Sequence, residues 1–153
     1  MQLATTKQLK IPSGKDLKIT ILLPYFNEEI GLKLYKNTAK TLEGNGVKKE
    51  NIKLIRVPGA LELPFAAQKE IASTKPDVVI ALGVVIKGET SHYDYVCSET
   101  FRGLMNVQLK LETPIIFGIL TCENKKQAQK RASASKNGLN KGHSFALAAL
   151  MVK

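Results

Sequence analysis

Tryptophan is absent from this chain, histidine and cysteine occur twice each, and aromatic residues fill only 6% of its 153 positions. Each scarcity excludes something. Cys97 and Cys122 lie far apart and fit neither a disulfide framework nor a zinc-ligand spacing. His92 and His143 are also distant from each other, so a structural metal site is not expected. The cysteines read as small, half-buried packing residues. No apolar run is long enough to span a membrane, and residues 1–14 lack the apolar core of a secretory signal. A cytoplasmic location is the expectation. The Gly-x-x-x-x-Gly-Lys-Ser/Thr spacing of a P-loop is missing, and so is Gly-x-Gly-x-x-Gly. Nucleoside triphosphate and dinucleotide sites are thereby disfavoured. Acidic residues are the minority, 13 against 23 basic, for a net charge of +10. Such a charge fits nucleic-acid binding in principle. The lysines are scattered, however, and the few aromatics do not alternate with them. Solvated faces, with a field that draws in anionic substrates, are the simpler reading. No nucleic-acid or membrane partner is expected.

What is present is ordinary in bulk and ordered in pattern. The chain is 44% hydrophobic and 24% charged, as soluble domains are. Its length suits one domain over 1–153, with residues 1–15 expected to be loose. Four apolar runs, at 17–23, 52–57, 78–84 and 115–120, are rich in Ile, Val and Leu and barely alternate. Parallel strands covered on both faces read this way. Helical patterns separate them. Ile30, Leu34, Thr38 and Leu42 are spaced by four, with Gly44 and Gly46 as stops. Residues 65–72 form a shorter pattern, with Pro64 tolerated in a first turn. Val96, Thr100, Leu104, Val107 and Leu111 make a stripe before Pro114. Residues 128–132 and 145–152 read as two more helices. Strand and helix alternate throughout, so the expected fold is α/β: a flavodoxin-like, three-layer αβα sandwich around a four-stranded parallel sheet.

In such folds ligands bind beyond the carboxyl ends of the strands. The unusual residues of this chain fall there. Pro24-Tyr-Phe-Asn27 follows the first strand and Pro58-Gly-Ala-Leu-Glu-Leu-Pro64 the second. After the third comes a turn holding Gly88, Thr90, Ser91 and His92, and after the fourth come Thr121 and Cys122. A glycine turn opening a helix presents free N–H groups to an anion. A histidine beside it moves protons near neutral pH. Together they point to an enzyme acting on a phosphorylated small molecule. Each element also has a plainer reading. Gly59 and Gly88 fit simple turns, Asn27 fits an N-cap, and Arg131 and Lys141 fit surface charges. Glu62 lies among apolar residues, where an unpaired carboxylate is costly, so a ligand hydroxyl is a fitting partner.

Longer segments carry a more specific signal. These are Phe26-Asn27, Val57-Pro-Gly-Ala-Leu-Glu-Leu-Pro64, Ala81-Leu-Gly-Val-Val-Ile-Lys-Gly-Glu-Thr-Ser-His-Tyr-Asp-Tyr-Val96, Pro114-Ile-Ile-Phe-Gly-Ile-Leu-Thr121, Gln127-Ala-Gln-Lys-Arg-Ala132 and Asn140-Lys-Gly142. In this order and spacing the chain closely resembles the lumazine synthase family of riboflavin biosynthesis. The resemblance implies that 5-amino-6-(D-ribitylamino)uracil condenses with 3,4-dihydroxy-2-butanone 4-phosphate to give 6,7-dimethyl-8-ribityllumazine, phosphate and water, without a metal or redox cofactor. It implies roles by position. Phe26 stacks on the pyrimidine, and Asn27, the Gly59 and Ala60 backbone and Glu62 hold the ribityl hydroxyls. Val85 and Ile86 line the ring pocket. Gly88, Glu89 and Thr90 cradle the phosphate with Arg131, and His92 shuttles protons. Lys141 contacts the pyrimidine carbonyl. It further implies a ring of five subunits, in which Phe117, Arg131 and Lys141 come from the neighbour.

Two departures qualify the resemblance. An acidic residue is common in the family shortly after the Lys-Gly pair, but His143-Ser144-Phe145 stands here. The connection from Arg131 to Lys141 is slightly longer than in members that build sixty-subunit shells, so free pentamers, single or stacked in pairs, are expected. Two other functions fit the pattern less well. A riboflavin synthase of the archaeal type would have no phosphate for the Gly88 turn and Arg131 to hold. A non-catalytic binder would show tight riboflavin binding without turnover, or, through the +10 charge, steeply salt-dependent RNA binding.

Overall fold

The structure, a computed structural model, describes residues 9–153. Four strands form one parallel sheet: β1 (Ile19–Pro24), β2 (Ile52–Val57), β3 (Val78–Ile86) and β4 (Ile115–Cys122). Their order is β2-β1-β3-β4. The register aligns Ile19 with both Ile52 and Val78, and Val79 with Ile115. Five helices connect and flank them: α1 (Glu28–Gly44), α2 (Leu63–Thr74), α3 (His92–Leu111), α4 (Lys125–Ala132) and α5 (Lys141–Met151). This is the expected three-layer α/β sandwich.

Both sheet faces are covered, which is why the strands read as unbroken apolar runs. All six residues of β1 are buried. Successive side chains point to opposite faces, so Ile21 and Leu23 join a core with α1, α4 and α5 residues such as Leu34, Ala128 and Leu150. Leu22 joins the other core, with Leu63 and Ile71 of α2 and Leu104 and Val107 of α3. Leu34 is fully buried, and truncating it to Ala would cost about 3 kcal/mol.

Element ends differ from expectation for local reasons. The first strand starts two residues late and includes Pro24. The last helix begins at Lys141 rather than 145, because Asn140 caps it, its side chain accepting from the His143 N–H at 3.3 Å. Gly142 is therefore helical. A Cβ there would stand 2.6 Å from the Leu34 carbonyl, so glycine lets α5 lie against α1, where the Thr38 hydroxyl also donates to the Gly142 carbonyl at 3.1 Å. Helix α3 begins at His92, one turn before its apolar stripe. Of the segment expected to be loose, residues 1–8 lie outside the described residues. Gly14 is buried, and its N–H donates to the Asn45 carbonyl at 2.9 Å. From Asn124 to the end the chain carries basic side chains and no Asp or Glu. Among the described residues no helix is long and apolar enough to cross a membrane.

Candidate functional site

The chain leaves β1 and β3 in opposite directions along the sheet. β1 connects to the edge strand β2, and β3 connects to β4. The carboxyl ends of β1 and β3 therefore diverge at a switch point, where such sheets open a crevice. A cleft of about 330 Å³ lies there, lined by Phe26, Asn27, residues 59–62, 84–86, His92 and Val96.

The wall from β1 is unusual. Asn27 precedes α1 with φ 55°, in the left-handed region, which Asn tolerates better than most residues. Its side chain does not cap the helix. Instead Nδ2 donates to the Val84 carbonyl at 2.8 Å, bridging the two strands at the switch point. The N-cap reading is thus right about position and wrong about the side chain, whose Oδ1 is left to face other donors. Phe26, beside it, is 73% exposed, a costly state for an apolar ring unless something covers it.

The floor is the β2–α2 turn. Glu62 is exposed, not buried among apolar groups as its sequence neighbours imply. One oxygen accepts from the Gly59 N–H at 2.8 Å, and the Glu62 N–H in turn donates to the Gly59 carbonyl at 3.3 Å. This reciprocal pair closes the turn and leaves the second carboxylate oxygen toward solvent. Gly59 is extended and needs no special φ, but a Cβ there would stand 3.1 Å from the Glu62 carboxylate and 3.6 Å from the Phe26 ring. The residue is small because two site residues press on it.

Beyond β3 the chain turns through Lys87, Gly88, Glu89 and Thr90, all exposed. The Lys87 N–H donates to the Cys122 carbonyl at 2.9 Å, and its ammonium lies 3.5 Å from Glu123. These contacts hold the turn against the end of β4. The Ser91 side chain does not cap α3; the His92 N–H donates to the Thr90 hydroxyl at 3.4 Å and the Asp94 N–H to the Ser91 carbonyl at 3.0 Å, and the head of this 20-residue helix carries the partial positive charge that favours an anion. A Cβ at Gly88 would meet nothing within 4 Å, so the turn itself does not demand glycine there. His92 opens α3 and faces the cleft. Tyr93, next to it, is half-buried. Burial raises its pKa, the Cys97 thiol adds to the rise, and a hydrogen bond with Thr121 opposes it.

Phe117, Arg131 and Lys141 do not reach this cleft. They line a separate groove of about 620 Å³ with Phe101, Ser144 and Met151, and no residue lines both. Arg131 donates to the Gln127 carbonyl one turn back at 3.3 Å. It also lies near Cys122, whose pKa burial raises and the guanidinium opposes. Within one chain, then, the structure gathers Phe26, Asn27, Gly59, Ala60, Glu62, Val85, Ile86 and His92, sets Gly88, Glu89 and Thr90 in the turn between β3 and α3, and keeps the other three apart. Among the described residues no cluster of His, Cys, Asp and Glu suits a metal ion. Four cleft residues, Pro24, Leu61, Val84 and Val96, went unassigned in the sequence. Val96 reads as core from its apolar stripe, but it lies one turn after His92 and so shares its face. Leu61, 46% exposed, sits in the quoted turn without a polar group to mark it. With this geometry in place, one comparison bears on the chemistry: the model of the 6,7-dimethyl-8-ribityllumazine synthase family matches residues 16–153.

Proposed function

We propose a reaction for a chain that belongs to the 6,7-dimethyl-8-ribityllumazine synthase family, a family of transferases in riboflavin biosynthesis. The chain condenses 5-amino-6-(D-ribitylamino)uracil with 3,4-dihydroxy-2-butanone 4-phosphate. The products are 6,7-dimethyl-8-ribityllumazine, inorganic phosphate and water. The observation that carries the reading is the cleft at the switch point, which combines an exposed flat ring, a carboxylate and amide for hydroxyls, and a histidine at the head of a helix.

Phe26 stacks on the pyrimidine. The free Asn27 and Glu62 oxygens accept from ribityl hydroxyls. The backbone of Val85 and Ile86 meets the polar edge of the ring. The 5-amino group attacks the butanone carbonyl and water leaves to form an imine. His92 moves the protons of this step, of phosphate loss and of ring closure. Gly88, Glu89 and Thr90 hold the phosphate through N–H groups and the Thr90 hydroxyl, and a guanidinium fork suits its oxygens. Arg131 is that fork. Because it lies in a different groove from His92, a second subunit must supply it, along with Phe117 and Lys141. We therefore take the assembly to be a ring, a pentamer without a sixty-subunit shell, and the reaction to be cytoplasmic, where a phosphorylated intermediate is retained.

The test is direct. Mixing both substrates with the protein should raise lumazine fluorescence faster than the spontaneous condensation does. Equal rates would rule the reaction out, and sedimentation as a megadalton particle would rule out the free pentamer.

A further inference from the structure

Backbone bonds hold the Phe26 wall at its two ends, and on the helix side the Asn27 carbonyl accepts from the Ile30 and Gly31 N–H groups at 3.1 Å each. Residues 25–27 connect β1 to α1, and only the Tyr25 N–H ties them to the neighbouring strand, donating to the Val57 carbonyl at 2.9 Å. Tyr25 is 56% exposed and Phe26 73%, so burial does not fix either ring. Asn27 is held from the β3 side by its bond to Val84. On the β2 side stands Arg56, whose side chain is only 22% exposed.

Arg56 touches Leu23, Pro24, Tyr25 and Glu28, the residues on either side of Phe26 and Asn27. Its Nε donates to the Leu23 carbonyl at 3.1 Å, and Nη2 reaches the Pro24 carbonyl at 3.5 Å. The same Nη2 donates to Glu28 at 2.8 Å, the first residue of α1. The guanidinium carbon lies 4.1 Å from the centre of the Tyr25 ring. One planar group thus spans the end of the strand, the start of the helix and the ring between them. Lysine could not do this: its ammonium is a point charge without a fork or a flat face. A surface ion pair alone would be worth little, but carbonyls, carboxylate and ring act on one group here.

We propose that Arg56 is a positioning residue, which sets the place of Phe26 and Asn27 and so the affinity for the ring-bearing substrate. The inference rests on the reading of the cleft as the pyrimidine site. Arg56 touches no substrate and lies outside the phosphate turn. Its loss should therefore act on one substrate only.

Kinetics of the assembled protein separate this from a general structural role. In R56K the KM for the ribitylaminouracil should rise on the order of tenfold, as small misplacements of a binding wall do. The KM for the butanone phosphate and the unimolecular turnover should stay within about twofold, because the groups that set them are untouched. R56M should show the same split. Tyr25→Phe keeps the ring under the guanidinium and should behave as wild type, whereas Tyr25→Leu should reproduce part of the rise. If R56M does not fold, R56K and the Tyr25 pair carry the test. A wild-type chain with no turnover above the spontaneous rate would sink the reaction itself. An active wild type with R56K unchanged, or with both KM values raised together, would sink the role of Arg56 alone.

Discussion

The two ends of the sheet treat a carboxylate in opposite ways. At the amino end Glu70, on α2, is 5% exposed and fully engaged. It accepts from Thr20 at 3.1 Å, from Lys53 at 2.9 Å and from Thr74 at 2.7 Å. At the carboxyl end Glu62 is exposed and accepts one backbone N–H. The strands between them are equally apolar. The difference teaches where this fold leaves polar capacity unused. One end binds its polar groups to each other and stabilises the chain. The other leaves a ring, an amide oxygen and a carboxylate oxygen facing outward, an arrangement suited to a ligand.

If that division is correct, substitutions at the two ends should separate activity from stability. The largest effect is expected from His92→Ala. Removing a general acid–base group should lower kcat about a hundredfold, with the urea midpoint unchanged. Glu70→Ala should do the reverse. It leaves the Thr20 and Thr74 hydroxyls without their acceptor and should lower unfolding free energy by about 2 kcal/mol, with kcat and both KM values unchanged. A kinetic defect in Glu70→Ala would break the comparison outright.

The same carboxylate gives the division a pH signature. Burial pushes the Glu70 pKa up, but hydrogen bonds from Thr74, Lys53 and Thr20 outweigh it and hold the group below the ordinary carboxylate value. A depressed pKa stabilises the folded chain above the unfolded pKa, about 4.3 for Glu. The contribution is lost as pH falls through the folded pKa. Urea midpoints of wild type and Glu70→Gln should therefore differ by a constant amount from pH 8 to about 5, then converge below pH 4. A gap that widened in acid would reverse the assignment.

Two smaller effects sharpen the carboxyl end. Arg131→Ala should raise the KM for the butanone phosphate about tenfold, the scale of one lost charge-assisted hydrogen bond, and leave the pyrimidine KM alone. Gly59→Ala should raise the pyrimidine KM a few-fold, about the effect of overpacking by one methyl group. Its Cβ would press on Glu62 and Phe26 together. An unchanged pyrimidine KM would mean that the turn yields freely and that glycine is not needed there.

The layer order and the four strands were legible because burial on both faces erases alternation, which leaves runs such as residues 78–84 without a polar residue. The convergence of four loops on one edge followed from parallel topology alone. Long-range partners were not legible. Nothing near Asn27 announces that its amide is bound 57 residues away at Val84, and the rule that Asn favours N-caps points its side chain the wrong way. Glu62 looked buried because its neighbours are apolar, but a 3-10 turn over Ala60–Glu62 swings it outward. Nothing around Gly142 marks its constraint, which is the backbone of a helix a hundred residues earlier. Arg131 and Lys141 stood out only through the resemblance, since a basic residue on a basic surface carries no local mark.

That basic surface has a kinetic consequence. Arg131 and Lys141 line their groove and no acidic residue does, so an anion entering it meets a positive field. Such a field speeds the arrival of an anion and is screened over about 10 Å at 0.1 M salt. The two proposed substrates differ in this respect, one a phosphate dianion and the other uncharged. Added salt should then slow capture of the butanone phosphate and leave capture of its partner untouched. Ionic strength would set which of the two encounters limits the rate.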